Sequence, residues 1–85
     1  MGYKLLYVDD DIVYGVYKFR SRFKHKQYKL QTIDDIIDFE FITLFDDLDS
    51  VNNAIRAIVT MFKLDSTKCL IVNENFNIDI LLAPN

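Results

Sequence analysis

Apolar and polar positions alternate along the first part of the chain, which predicts three strands. Residues 3–8 are short, aromatic and β-branched, as is typical of a strand. Residues 12–20 alternate strictly, and the three aspartates at 9–11 form a turn signal between the two segments. Residues 27–33 alternate again, with one polar side. We therefore expect a hairpin across the aspartates, followed by a third strand.

The second part of the chain mixes helical and strand patterns. Residues 34–48 fit either one; the aromatic and β-branched residues of 39–45 favour a strand, after a short helical turn at 34–37. Residues 50–64 repeat apolar side chains at helical spacing, and Asp49 or Ser50 can cap this helix. Residues 68–72 and 76–82 are predicted to be strands around a turn at 73–75.

Together these elements predict one α+β domain over residues 1–85, in which an antiparallel sheet of about four to six strands packs one face on the helix at 50–64. The expected core consists of Leu5, Tyr17, Phe19, Leu30, Ile55, Ile58, Phe62, Leu70, Val72, Ile78 and Ile80. The chain has more aromatic residues than one helix on one sheet readily hides. We therefore expect Tyr3, Tyr7 and Tyr14 to line a protein interface or a homodimer seam.

Composition excludes several classes of protein. The 85 residues contain one cysteine, too few for a disulfide framework or a cysteine-based zinc site. No stretch of about 18 apolar residues predicts a transmembrane helix, and the first residues lack the features of a signal peptide. We therefore expect a cytoplasmic protein with Cys69 reduced. The many Ile, Asn, Lys, Phe and Tyr residues, with only two glycines and one proline, favour an AT-rich source such as a phage, a mobile element or a low-GC bacterium.

Charge is unevenly distributed. Residues 1–33 carry seven Lys or Arg against three acids, whereas residues 34–85 carry three against ten, within a net charge of −3. On an extended chain, one face would collect five cations at every second position: Lys18, Arg20, Arg22, Lys24 and Lys26. Three interpretations remain open: solvated cations that protect a sheet edge, a site for an acidic protein partner, or a site for nucleic acid.

The acidic residues form a second cluster within a short span: Asp34, Asp35, Asp38, Glu40, Asp46, Asp47 and Asp49. If these acids spread over one surface, their spacing could imitate the phosphates of DNA. Alternatively, they cap helices and keep the domain soluble.

No catalytic pattern is evident. The lone His25 lies between two lysines, and no glycine-rich phosphate loop is present. The aspartates from Asp9 onward lack the later ligands of a calcium loop. We therefore predict no cofactor and no metal. The expected function is that of a small non-enzymatic binding protein, encoded by a phage or mobile element, that modulates or inhibits a larger intracellular protein. Its predicted partner-binding residues are Tyr14 and the five cations; a homodimer, a nucleic-acid-binding protein or a DNA mimic are the alternatives.

Overall fold

A computed structural model describes residues 2–20, 22 and 26–82, with the backbone alone for Lys26. It has the predicted α+β class: a four-stranded antiparallel sheet in the order β3-β2-β1-β4, with one main helix. The strands are β1 (Tyr3–Asp9), β2 (Ile12–Arg20), β3 (Lys26–Thr32) and β4 (Cys69–Asn73), and the helices are α1 (Ile36–Phe41), α2 (Leu48–Phe62) and α3 (Asp79–Leu82).

The predicted β1–β2 hairpin is confirmed. Asp9 pairs with Ile12, so the turn consists of Asp10 and Asp11 alone. Asp10 has a φ of 53°, a left-handed conformation that Asp adopts more readily than most residues. The run of aspartates therefore fixes the register of the first two strands.

The strand predicted at 39–45 is wrong, because this segment begins with helix α1. Asp35 caps the helix by accepting a hydrogen bond from the Asp38 N–H (2.9 Å), and Asp38 in turn accepts from the Asp34 N–H (3.0 Å). The first bond satisfies an N–H group that a helix start leaves unpaired, and the second ties the residue before the cap to the helix. In a strand, Phe39 and Phe41 would lie on the same face, but Phe39 is buried whereas Phe41 is 73% exposed.

The strand predicted at 76–82 is also wrong, because the chain forms a turn and then α3. The Asn77 side chain accepts from the Asp79 N–H (3.0 Å) and starts this short helix. Ile78 is fully buried, whereas Ile80 is 68% exposed, contrary to its predicted place in the core.

Helix α2 begins two residues earlier than predicted, at Leu48, because the N-cap is Asp47 rather than Asp49 or Ser50. The Asp47 carboxylate accepts from the Ser50 N–H (2.7 Å). The helix ends at Lys63, whose φ of 56° places it in the left-handed region. Phe62, a predicted core residue, lies in the last turn and is exposed.

Both faces of the sheet are covered, whereas the sequence predicted helix on one face only. On one face, called the α2 face, Leu5 and Val16 pack with Val51, Ala54 and Ile58 of α2. On the other face, a second cluster is formed by Leu6, Val13, Ile33, Phe39, Ile42, Val72 and Ile78. Of the predicted core, Leu5, Ile58, Val72 and Ile78 are buried, while Tyr17, Leu30, Ile55 and Leu70 are half-buried.

The chain crosses from one face to the other between Ile42 and Phe45. Gly15 makes room for this crossing, because a Cβ there would collide with Ile42 Cγ2 and lie 2.8 Å from Ile33 Cδ1. Beyond the crossing, Phe45 exchanges two backbone hydrogen bonds with Tyr3 (2.7 and 2.8 Å). The crossing segment thereby fills the space beside β1 where β2 has no strand partner.

Lys4 is buried on the face opposite α2, which the sequence did not predict for a charged residue. Its Nζ donates to the carbonyl oxygens of Phe39 (2.8 Å) and Glu40 (3.3 Å), and it lies 4.5 Å from the centre of the Phe39 ring. The pKa of Lys4 is lowered by burial, against the raising effect of Glu40. Lys4 thus joins β1 to the C-terminal carbonyls of α1.

Candidate binding surface

The β2–β3 hairpin continues past the rest of the sheet. β2 pairs with β3 from Tyr14 to Arg20, but β1 pairs with β2 only as far as Gly15. Beyond Gly15 the side of β2 that faces β1 is supported by the crossing segment, where the Lys18 N–H donates to Thr43 Oγ1 (2.8 Å). The hairpin end, defined as residues 18–20, 22 and 26–28 in the structure, is therefore a ribbon supported mainly from one side.

The predicted cations gather at this hairpin end, but not as one straight stripe. Lys18 and Arg20 lie on the α2 face of β2, where Lys18 is half-buried and Arg20 exposed. The extended chain stops at Arg20; Arg22 is exposed in a turn. Position 26 then lies directly opposite Arg20 across the ladder. Lys24 lies outside the described residues, as does the side chain of Lys26.

In the part of the chain that the structure describes, no carboxylate forms an ion pair with Arg20 or Arg22. Among the described residues the one ion pair joins Lys68 to Asp9 (2.7 Å), far from the hairpin end in sequence. Lys18 is the exception, because its charge helps to lower the pKa of Asp47, after the larger effect of the hydrogen bonds from Ser50.

The aromatic side chains predicted to point inward behave differently from one another. Tyr17 is half-buried beneath Lys29, whose Nζ lies 5.2 Å from the ring centre. Burial raises the pKa of Tyr17, and the nearby Asp38 raises it further. Phe19 is 43% exposed, contrary to its predicted place in the core. The hairpin end therefore presents an exposed ring on the face opposite Arg20.

Tyr14 does not join the cations. It lies about 20 Å from Arg20 along β2, as six residues of strand require. There it lines a groove of about 420 Å³ with Leu30, Phe62 and Leu64. Its ring is 6.3 Å from that of Tyr7. Tyr3 is half-buried at the other end of β1.

Tyr7 is not an interface residue, contrary to prediction. It is 5% exposed, and its hydroxyl accepts from the Asp65 N–H (3.1 Å). Tyr7 therefore holds the chain after α2 against the sheet.

The acidic cluster divides into two groups on opposite faces of the sheet. Asp34, Asp35, Asp38 and Glu40 lie at or beside α1, whereas Asp46, Asp47 and Asp49 lie at the start of α2. Asp35 and Asp47 accept from the first turns of these helices. The placement favours the capping interpretation, because a DNA mimic needs its charges on one surface.

The described residues contain no group of three His, Cys, Asp or Glu that could hold a metal ion. Cys69 is half-buried in β4, and burial raises the pKa of its thiol. His25 lies outside the described residues. No helix in the described part of the chain is long and apolar enough to span a bilayer.

Thr43 is the residue at this surface that sequence reasoning missed. It lies in the segment whose helix or strand state was ambiguous, and nothing in its neighbours indicates a contact with Lys18.

Comparison of the chain with protein-family models, with curated proteins and with solved structures finds no match. The hairpin end therefore has to be interpreted from its own geometry and charge.

Proposed function

We propose that the chain is a small non-enzymatic binding protein that docks the hairpin end onto an acidic surface of a larger intracellular protein. Its binding residues are Lys18, Arg20 and Arg22, with Lys24 and Lys26 completing the set. The observation that carries the proposal is that Arg20 and Arg22 are exposed, with neither paired to a carboxylate among the described residues. Carboxylates on a partner would supply the missing counter-charge.

The chemistry of arginine supports a protein partner. Its planar guanidinium can hold a carboxylate through two parallel hydrogen bonds, which gives both strength and orientation. Arg20 and Arg22 are both exposed, so a partner can reach them without rearrangement of the core.

A continuous polyanion fits this surface less well. Asp47 caps α2, and the effect of Lys18 on the pKa of Asp47 indicates that this carboxylate lies close to the hairpin end; Asp49 follows in the first turn of the helix. They would repel the phosphates of a nucleic acid, whereas a protein can place its own carboxylates selectively. The exposed Phe19 ring is the one feature that favours nucleic acid, since it could stack on a base.

The AT-rich residue usage indicates the source of the protein and hence of its partner. We take the source to be a phage or mobile element and the partner to be a host protein that this chain modulates or inhibits. We also propose that the chain meets this partner in the cytoplasm.

Affinity capture with matched charge variants tests the proposal. The tagged chain, the variant R20E/R22E and the control R56E/K63E, whose changes lie on α2 and at its C-cap, are incubated with host lysate and the bound proteins are quantified. We expect one dominant partner that the parent and the control retain and that R20E/R22E loses by about tenfold or more. Equal capture by all three proteins would refute the assigned surface.

Titration of labelled single-stranded and duplex DNA tests the alternative. We expect no complex at micromolar protein in low salt. If the hairpin end did contact about four phosphates, the logarithm of the affinity would fall with the logarithm of salt at a slope of about −3 to −4. That slope, lost in R20E/R22E, would replace the protein partner with nucleic acid.

A further inference from the structure

β4 is an edge of the sheet that lacks the usual protection. It has β1 on one side and no described strand on the other, and its sequence, Cys-Leu-Ile-Val-Asn, contains no charge and no proline. Natural sheets commonly protect such edges with lysine, proline or a bulge. The opposite edge, β3, carries lysines at positions 26 and 29. An apolar edge without such residues is suited to pairing with another strand.

The alternation of hydrogen bonds identifies the backbone groups of β4 that face outward. Tyr3 exchanges both of its backbone hydrogen bonds with Phe45, on the side of β1 away from β4. Because backbone groups in a strand alternate in direction, Lys4 and Leu6 face β4. Their partners Val72 and Leu70 must face β1.

It follows that Cys69, Ile71 and Asn73 direct their N–H and C=O groups to the open edge. Two of these groups already have partners: the Cys69 N–H donates to the Ser66 carbonyl, and the Asn73 carbonyl accepts from the Phe76 N–H (3.1 Å). The remaining four have no backbone or side-chain partner among the described residues: the Cys69 carbonyl, both groups of Ile71 and the Asn73 N–H.

We propose that β4 pairs antiparallel with β4 of a second copy of this chain, around a two-fold axis through Ile71. In this register Ile71 lies opposite Ile71 of the second copy, and Cys69 lies opposite Asn73. The two Ile71 residues exchange N–H and C=O, and each Asn73 N–H reaches a Cys69 carbonyl. Every free group of one edge therefore meets a free group of the other.

Neighbouring registers do not achieve this match. An axis through Leu70 would direct the Ile71 carbonyl to the Cys69 N–H, which Ser66 already holds. An axis through Val72 would direct the Ile71 N–H to the Asn73 carbonyl, which Phe76 already uses. The two turns that flank β4 therefore select the axis at Ile71.

Charge supports a second copy as the occupant. Continued by one more pair at each end, the same register places Lys68 opposite Glu74 of the other copy, twice per dimer. Both residues are exposed; Lys68 is paired with Asp9 of β1, on the inner side of β4, so its Nζ must turn outward to meet Glu74 of the other copy. Opposite charges in facing positions stabilise a strand pair. A second copy supplies both charges at this spacing, whereas an unrelated strand need not.

A charge swap tests the pairing without touching the core. Two short strands make a small interface, so we expect a dimer in the micromolar range by sedimentation equilibrium. K68E and E74K each replace two attractions by two repulsions and should weaken the dimer about tenfold. The double variant K68E/E74K should return to within about threefold of the parent, and R56E, on the exposed side of α2, should have no effect.

The rescue separates pairing from damage to the fold, because loss of the Lys68–Asp9 ion pair persists in the double variant. A parent chain that stays monomeric at its highest soluble concentration would overturn the proposal. Failure of the double variant to recover would overturn it as well.

Cross-linking tests the register. In a Cys69→Ala background, Ile71→Cys should oxidise to a covalent dimer, since residues in a hydrogen-bonded antiparallel pair lie about 5.5 Å apart at Cα, within disulfide range. The control is Leu30→Cys at the centre of β3, which should stay monomeric. Cross-linking through Leu30→Cys instead would assign the seam to the β3 edge and refute ours. None of these changes touches the hairpin end, so the proposed function can stand or fall separately.

Discussion

Replacing Gly15 by alanine should destabilise the protein through one identified collision. The added Cβ would lie 2.8 Å from Ile33 Cδ1 and closer still to Ile42 Cγ2, whereas carbon atoms in contact are about 3.5–4.0 Å apart. Ile33 and Ile42 are both almost fully buried, so neither side chain can swing into solvent. Overpacking of this kind costs about 1–3 kcal/mol of unfolding free energy.

A double-mutant cycle shows whether Ile42 causes that cost. Ile42→Ala alone leaves a cavity and should cost about 2–5 kcal/mol. In G15A/I42A the new methyl group enters the space that Ile42 vacated, so the combined loss should be smaller than the sum of the single losses by at least about 1 kcal/mol. Urea unfolding followed by far-UV circular dichroism measures all four proteins, since the chain has no tryptophan.

Additive losses would refute the reasoning, because they would mean that Gly15 and Ile42 do not meet. An unchanged midpoint for G15A would refute it more directly. The result also bears on the hairpin end, since the chain that crosses at Ile42 supplies Thr43 to Lys18.

Three further changes test individual contacts. Lys63→Gly should stabilise the protein by about 0.5–1 kcal/mol in thermal unfolding, because glycine adopts the left-handed φ of position 63 without strain, whereas Lys63→Ala should not. Thr43→Val should speed hydrogen exchange at the Lys18 amide and cost about 1 kcal/mol, while the exposed Thr60→Val should change neither. Asp47→Ala should lower the melting temperature at neutral pH. Because hydrogen bonds from Ser50 hold the pKa of Asp47 below its ordinary value of 3.8, the stabilisation is present above that value. It is lost as pH falls through the lowered pKa, so variant and parent should converge there; Asp47→Asn, which keeps an acceptor, should resemble the parent at neutral pH.

Local patterns predicted the first half of the sheet because alternation and turn chemistry agreed there. The aspartates at 9–11 fit a tight turn, and the residues on either side alternate with the period of a strand. The strand prediction for the segment from Asp34 was wrong because Phe41 fits both the helical and the strand pattern. What decides for a helix is a pair of capping carboxylates, whose effect depends on the folded backbone.

The candidate surface was predictable in composition but not in shape. Spacing placed the cations of 18–26 on one face of an extended chain, yet nothing in the spacing showed that the chain would reverse after Arg20. The reversal converts a stripe into a cluster and puts position 26 opposite Arg20. The open edge at β4 could not be predicted at all, because it follows from the order of strands, which long-range pairing determines.

The two proposals make a joint prediction about valency. The hairpin end lies at the outer side of the sheet, and the proposed axis lies beyond β4. At about 4.8 Å between strands, the two hairpin ends of a β4-paired dimer would lie about 30 Å apart across the sheet. Arg20 lies four residues beyond Val16, which is level with the axis at Ile71, so the ends are also offset by about 26 Å along the strands and lie about 40 Å apart at opposite corners. A partner with two acidic sites at that separation would be bound through both, and its apparent affinity would exceed that for one site by an effective-concentration factor. The monomeric variant K68E should therefore bind an isolated acidic site as well as the parent does but lose the gain on the two-site partner. Equal losses on both would indicate that Lys68 itself contacts the partner.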